Sequence, residues 1–593
     1  MRYPMLRQIP SQRQVTDEFR GYNHNLRIGA GEFYEMKNMT SDFYPILAPR
    51  GNRGTFATAE KPTGLVSKDT LCWCDGREFV MDGYRIDLGL SDEPKQLVSM
   101  GAYVIILPDR KYINTADLSD FGSVDAVVQT ESPVSFSLCK ADGSGYENQT
   151  VGPEEPEEPE NGQLWLDTST EPHSLKQWSE TNGMWVSIAT TYIRIGCAGI
   201  GTHFERYDGI EITGLKDQEL IDSATGEKVG DPGQLQALEG AAAIWAKGDD
   251  YIVVVGILDA SRTIKNSVTI SRTMPEMDFV VEAGNRLWGC RYGLNREGKP
   301  VNEIYCSKLG DFKNWKCYMG LANDSWYGQV GSDGAFTGAV THLGYPCFFK
   351  ETTLHKVYIS EIGAHGIQDT ACRGVQRGSG RSLAIVGETL FYKSRQGVCA
   401  YDGALPVEVS AAFGGALYSD AVAGAVGNKY YLSQKDTTGK NHLFVYDAGR
   451  GMWHREDDFR ATCFCRCRDE LYAIEEGTGK IRAMRGSVSP DRGKVSWMAE
   501  TAPVTMETPD QKYISRITLR LSLELGSRVR ISIQYDSMGQ WENLCNLSGV
   551  QLRSYSLPIR LRRCDHFRLR IEGEGECRIY SMAKTLEGGG EIT

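Results

Sequence analysis

From residue 64 the chain exchanges apolar and polar positions every second residue. It does so in short runs broken by Gly, Asp or Pro: "GLVS", "TLCWCDG", "REFVMDG", "YRIDLGL", "AYVIILPD" and "KYINTAD". A period of two gives each run one apolar face, which is the pattern of a strand. The same grammar returns over about 278–486, in "RLWGCRYG", "PCFFKETTLHKVYI", "TLFYKSRQGVCAYDG" and "HLFVYDAGRGMWHRE". Strands this short and this regularly spaced indicate a sandwich, a barrel or a propeller. A diverged repeat of strand and turn, seen at Tyr401-Asp402-Gly403 and at Tyr446-Asp447 ahead of Trp453, recurs at roughly 40–50 residues, the length of a propeller blade. The cleanest alternation is "SRITLRLSLEL" (515–525), "RVRISIQYD" (528–536) and "FRLRIEG" (567–573), as in a half-buried antiparallel sheet. No helical period is sustained anywhere.

These patterns predict an all-β chain: a β-propeller with an inserted β-domain and a C-terminal antiparallel β-sandwich. The expected divisions are an extended N-terminal arm over 1–55, propeller over 56–127, inserted β-domain over 128–275, propeller again over 276–500, and sandwich over 501–593. The arm has no sustained period, so it reads as a segment laid across its own or another subunit. Its Phe19, Tyr22, Asn23, Phe33, Tyr34, Phe43 and Tyr44 are candidate intersubunit contacts.

Within the insertion, residues 151–190 change character halfway. "GPEEPEEPE" is an acidic proline run with the composition of an extended, self-repelling tether. "NGQLWLDTSTEPHSLKQWSETNGMWVSI" then brings Trp165, Trp178 and Trp185 into a hairpin too small to own a normal core. The three rings serve either as that core or as faces that stack on sugar. Gly183-Met184-Trp185 has two counterparts, Gly451-Met452-Trp453 and Gly539-Gln540-Trp541, in which glycine closes a hairpin and tryptophan opens the return strand.

Composition bounds the function. With 593 residues the chain exceeds one core, and its 65 glycines and 28 tyrosines suit many tight-turned strands. A net charge of −12 argues against a general nucleic-acid binder. "MRYPMLRQIPSQRQ" lacks a signal peptide's apolar stretch, and no apolar run approaches the ~18 residues needed to span a bilayer, so the expectation is a soluble chain made in the cytoplasm with no membrane insertion. Cys72/Cys74 and Cys463/Cys465/Cys467 fall at i, i+2, as on one strand face, and read as buried reduced thiols rather than metal ligands.

Phosphate-loop, hydrolase-elbow and zinc-protease motifs are absent, and "GCAGIG" (196–201) has no following helix. "WHREDDF" (453–459), "KGDDY" (247–251) and "QYDSMGQWE" (534–542) offer carboxylates, but each sits beside a turn where Asp caps backbone amides. The expectation is no catalytic residue, no cofactor, no metal and no enzymatic activity.

"FRGYNHN" followed by "EMKNMTSDFYPILAPRGNRG" resembles the opening segment of a class of tailed-bacteriophage virion proteins. "NRLWGC", "VNEIYCSKLGDFKNW", "GSDGAFTGAV" and "FFKE" look like their propeller portion, and "RRCDHFRLRIEGEGECRIYSM" like their terminal β-domain. The Trp-rich hairpin is similar to a small module of phage tail and receptor-binding proteins. The resemblance implies a tail nozzle, hub or neck subunit in the virion. Its partners would be other copies of itself in a ring, other tail proteins, and genomic DNA that passes the lumen without specific binding. The competing function is a glycan-binding adsorption protein that uses Trp165, Trp178 and Trp185. A third, an enzyme degrading host polysaccharide, is set below both.

Overall fold

The computed structural model describes residues 11–588 except 132, 148, 217–218, 231–232, 296–297, 506–510, 550 and 561. The first ten residues of the arm and the last five of the C-terminal segment therefore lie outside the described residues. Among those described, no helix is long and apolar enough to cross a membrane.

The alternating runs pair into seven sheets arranged as propeller blades. Blades 1 to 6 are four-stranded meanders over 62–87, 96–123, 279–329, 338–371, 384–408 and 418–455. Blade 7 takes three strands from 461–483, and its fourth is Gly54–Thr58, whose partner is Lys480–Ala483. The ring thus closes between segments more than four hundred residues apart in sequence. Its innermost strands touch in order except that blade 4 reaches blade 5 through the turn at Gly380–Ser382, and Pro62–Ser67 of blade 1 packs against both Gln96–Met100 of blade 2 and Ala461–Cys467 of blade 7. Glycine permits the tightest approach: a Cβ on Gly424 of blade 6 would lie 2.5 Å from Phe464 Cβ of blade 7.

The inserted domain leaves after blade 2 and returns before blade 3. It packs a four-stranded sheet (126–272) on a five-stranded one (134–264) around Phe136, Ile195, Ile210, Ile252 and Ile270, all fully buried. Gly209 presses it on the blade 3 loop at 307–325. The Asn314 side chain accepts the Gly209 amide at 2.9 Å and donates to the Tyr207 carbonyl at 2.8 Å, leaving no room for a Cβ at 209.

Two sheets form the C-terminal sandwich around Ile517, Leu519, Ile531, Ile533, Ile571 and Ile579. Ser496–Glu500 belongs to it, so it begins ahead of residue 501. Each sheet also recruits one edge strand from the N-terminal segment: Gln12–Thr16 pairs with Cys577–Gly588, and Glu35–Lys37 with Ser496–Glu500. Between them Gly21–Tyr22 adds to blade 6 at Trp453. Residues 11–58 therefore stitch the sandwich, blade 6 and blade 7 together.

That stitching accounts for most of the residues expected to contact a second subunit. Phe19, Tyr22 and Phe33 are buried in this chain's own core, with Tyr22 against Phe444 at 5.5 Å. Asn23 donates to Glu32 at 2.9 Å, Tyr34 stacks on His24 at 4.1 Å, and the Tyr44 hydroxyl donates to Glu18. Phe43 stays exposed beneath the Arg578 guanidinium. The apolar rings are spent internally because the sandwich core is incomplete without them.

Candidate functional site

The propeller axis holds a cavity of about 850 Å³ walled by the innermost strands of the ring. Its polar lining is paired. The Lys95 side chain is fully buried, with its ammonium 2.5 Å from Asp109 and 2.6 Å from Ser91 Oγ. Burial pushes the Asp109 carboxyl up, but hydrogen bonds from Lys95 and Ser91 outweigh it and hold it below the usual carboxylate range. Arg110 pairs with Asp125 at 2.9 Å and Arg291 with Asp278 at 2.8 Å. Arg381 donates to the carbonyls of Thr462 and Lys95 at 2.9 and 3.2 Å, tying blade 5 to blades 7 and 2.

The three tryptophans come together elsewhere, on a small sheet built from Gln149–Gly152, Leu164–Asp167, Ser174–Ser179 and Met184–Ser187. The first two strands are parallel, so the acidic proline run at 153–161 is the crossover that a parallel pair requires rather than a free tether. One face of the sheet (Leu164, Leu166, Leu175) packs on Leu138, Tyr146, Ile188 and Ile257, joining the module to the inserted domain. Register places Trp165 opposite Lys176 and Trp178 opposite Trp185 on the other face. There the rings form an edge-to-face ladder, Trp165 to Trp185 at 5.4 Å and Trp185 to Trp178 at 5.5 Å. Trp165 is buried and donates from Nε1 to the Gly152 carbonyl at 2.9 Å, while Trp178 and Trp185 remain half-buried. The Lys176 ammonium lies 4.7 Å above the Trp165 ring and 2.8 Å from Asp167. Hydrogen bonds from Lys176 and Ser169 pull the Asp167 carboxyl down to about 2. Two half-buried indoles beside a charged pair can take the apolar C–H face of a sugar and orient its hydroxyls.

The other glycine–tryptophan turns keep the same local geometry with different outcomes. Gly183, Gly451 and Gly539 all have positive φ. Trp453 is buried against Tyr446 at 4.8 Å, and Trp541 lies under the Arg570 guanidinium at 4.1 Å.

Motif scanning missed one constellation because its members are dispersed. His355 faces Asp369 Oδ1 at 2.5 Å through Nδ1 and Ser332 Oγ at 2.9 Å through Nε2. Burial pushes the imidazole pKa down, so the neutral ring donates to Asp369 and accepts from Ser332. The His355 side chain is fully enclosed, and Lys350 grips the Ser332 carbonyl at 2.7 Å. This chain of hydrogen bonds pins the blade 3–4 connection onto blade 4. A second one, Ser537–His566–Asp565, holds an exposed turn of the sandwich at 2.7 and 2.9 Å.

Among the described residues no group of three or more His, Cys, Asp or Glu is placed to hold a metal ion. The sixteen cysteines are unbridged, and burial pushes the Cys72 and Cys74 thiols up to about 12.

The described residues define an all-β protein, a seven-bladed propeller bearing a β-domain and a β-sandwich. No protein-family model and no curated protein matches the chain. Among solved structures it is similar to an exo-β-1,3-galactanase from Phanerochaete chrysosporium, at 9% identity and a TM-score of 0.20, over 51% of this chain and 94% of that one. An engineered GH43 glycoside hydrolase with endo-xylanase and exo-arabinofuranosidase activity aligns at 11% identity and a TM-score of 0.20, over 52% and 96%. Trypanosoma rangeli sialidase in complex with sialic acid aligns at 9% and 0.17, over 90% and 95%. These neighbours overturn the expectation that the chain is no enzyme, since each is a glycan-cleaving protein. At such TM-scores the likeness assigns no reaction to this chain.

Proposed function

We propose that the chain is a structural subunit of a tailed-bacteriophage tail, in a nozzle, hub or neck ring that contributes to tail assembly and to the DNA conduit. The observation that carries this reading is the stitching by residues 11–58, which makes propeller and sandwich a single building block. The sequence resemblance and the acidic balance support it, because a negative lumen does not grip passing DNA. Its partners are other copies of itself, neighbouring tail proteins and transiting DNA, and its place is the virion tail. Electron microscopy of particles carrying an antibody directed at 149–187 tests this. Label in a ring on the tail is expected, and particles that lack the chain would sink the reading.

The indole ladder favours a second reading, contact with a host-surface glycan. Trp178→Ala is then expected to abolish adsorption while particles still assemble. Unchanged adsorption removes this reading and leaves the first standing.

A further inference from the structure

The seam where Gly54–Thr58 closes the ring against blade 1 holds a second cavity, of about 570 Å³, within the ~300–1,000 Å³ range of small-molecule sites. Its floor is aromatic. Phe56 of the closing strand meets Trp73 of blade 1 at 5.9 Å and Tyr472 of blade 7 at 5.0 Å, both edge-on. Two turns supply the polar lining, one through Asp82 and Gly83 and the other through Arg468 and Asp469, with Asp82, Gly83 and Arg468 all at positive φ.

Committed and uncommitted groups separate clearly here. Glu470 is used up by the amides of Leu471, Arg485 and Ser487, and Arg468 spends one nitrogen on the Asp69 carbonyl. The Asp82 and Asp469 carboxylates and the Tyr472 hydroxyl have no hydrogen-bond partner among the described residues, and neither do the buried Thr70 Oγ1 and Trp73 Nε1. A cation entering the cavity would meet Arg468, and an anion would meet Asp82, Asp469 and Glu470. A neutral polyhydroxylated ring uses both signs. Its C–H face lies on the aromatic floor, its hydroxyls donate to the carboxylates, and its oxygens accept from Tyr472 and Arg468. We propose that this cavity is a saccharide-binding site for a neutral pyranose unit, separate from the indole ladder on the inserted domain.

Saturation-transfer NMR on the full chain tests this with the methyl glycosides of glucose, galactose, mannose, rhamnose and N-acetylglucosamine, with tetramethylammonium and inorganic phosphate as charged comparators. At least one glycoside is expected to saturate. Asp82→Asn, whose side chain tolerates the left-handed turn, and Asp469→Asn should each raise its Kd by about tenfold or more, the loss of one charged hydrogen bond. Trp73→Ala should abolish the signal and Trp178→Ala should leave it unchanged. The proposal is overturned if no glycoside saturates, or if only tetramethylammonium or phosphate binds. It also falls if the signal is lost with Trp178→Ala, or persists in an Asp82→Asn/Asp469→Asn double variant whose melting temperature is unchanged. That last variant keeps the test decisive should Trp73→Ala fail to fold.

Discussion

Lys584 lies opposite Ile517 on the strand that also places Met582 and Leu586 into the sandwich core. Burial alone pushes its ammonium down to about 8 from 10.5. The folded state therefore holds fewer protons than the unfolded chain between those values, and stability rises with pH across that window. Below pH 8 the fold carries the cost of a charged, desolvated amine. Lys584→Met should raise stability by up to about 3 kcal/mol at pH 7, and the gain should vanish by about pH 10.5. Urea unfolding at both pH values checks it, and an equal gain at both would refute it. Gly21 makes a harder demand on its position. A Cβ there would sit 2.3 Å from the Trp453 carbonyl oxygen, on a backbone with φ of +85°. Gly21→Ala should loosen the N-terminal segment from blade 6, costing more than about 1 kcal/mol, read as faster amide exchange at Tyr22 and Phe33.

At the scale of elements, the loop after blade 6 anchors the N-terminal segment through a buried charge cluster. Arg53 reaches Glu456 at 2.7 Å and Asp457 at 2.9 Å, and Arg50 joins both carboxylates. Burial pushes the Asp457 carboxyl up, yet the Arg53 charge wins and holds it at about 2. That depressed value is stability present above the unfolded pKa near 4 and lost as pH falls towards 2. Arg53→Met leaves Arg50 as the remaining cation beside both carboxylates and should cost up to about 3 kcal/mol at pH 7, less at pH 3 as the Asp457 contribution is lost. The Trp-rich module yields a different expectation. Excising 149–187 uncovers Leu138, Tyr146 and Ile257, so the shortened chain should bind an apolar-surface dye and melt lower. A module that came away cleanly would show neither.

These elements also mark how far sequence reading reaches. Alternation located the strands of "SRITLRLSLEL" and "RVRISIQYD", and the Gly-x-Trp turns were legible because a hairpin is a local decision of backbone sterics. The parallel pairing around 153–161 was hidden, since composition describes a proline-rich stretch equally well as a tether or a crossover. The cavity at the closing seam was hidden for a stronger reason. Phe56, Trp73, Asp82 and Tyr472 meet only after the ring closes, and no local period encodes that meeting.

For the molecule as a whole, the cores divide into two groups. The sandwich shares one continuous core with the N-terminal segment and blades 5 and 6, whereas the inserted domain keeps its own. Calorimetry should therefore resolve two transitions, with Arg53→Met lowering the propeller–sandwich transition and leaving that of the inserted domain in place. A single transition shifted as one would show the two to be coupled.

The closure of blade 7 also has a meaning in time. Gly54–Thr58 leaves the ribosome ahead of Lys480–Ala483 and waits for it, an interval of roughly 20–90 s at ~5–20 residues per second. Gln12–Thr16 waits longer still, for Cys577–Gly588. Until those partners emerge both strands carry unpaired edges, so a message broken ahead of the codon for residue 480 yields a product with sticky edges and no partner for them.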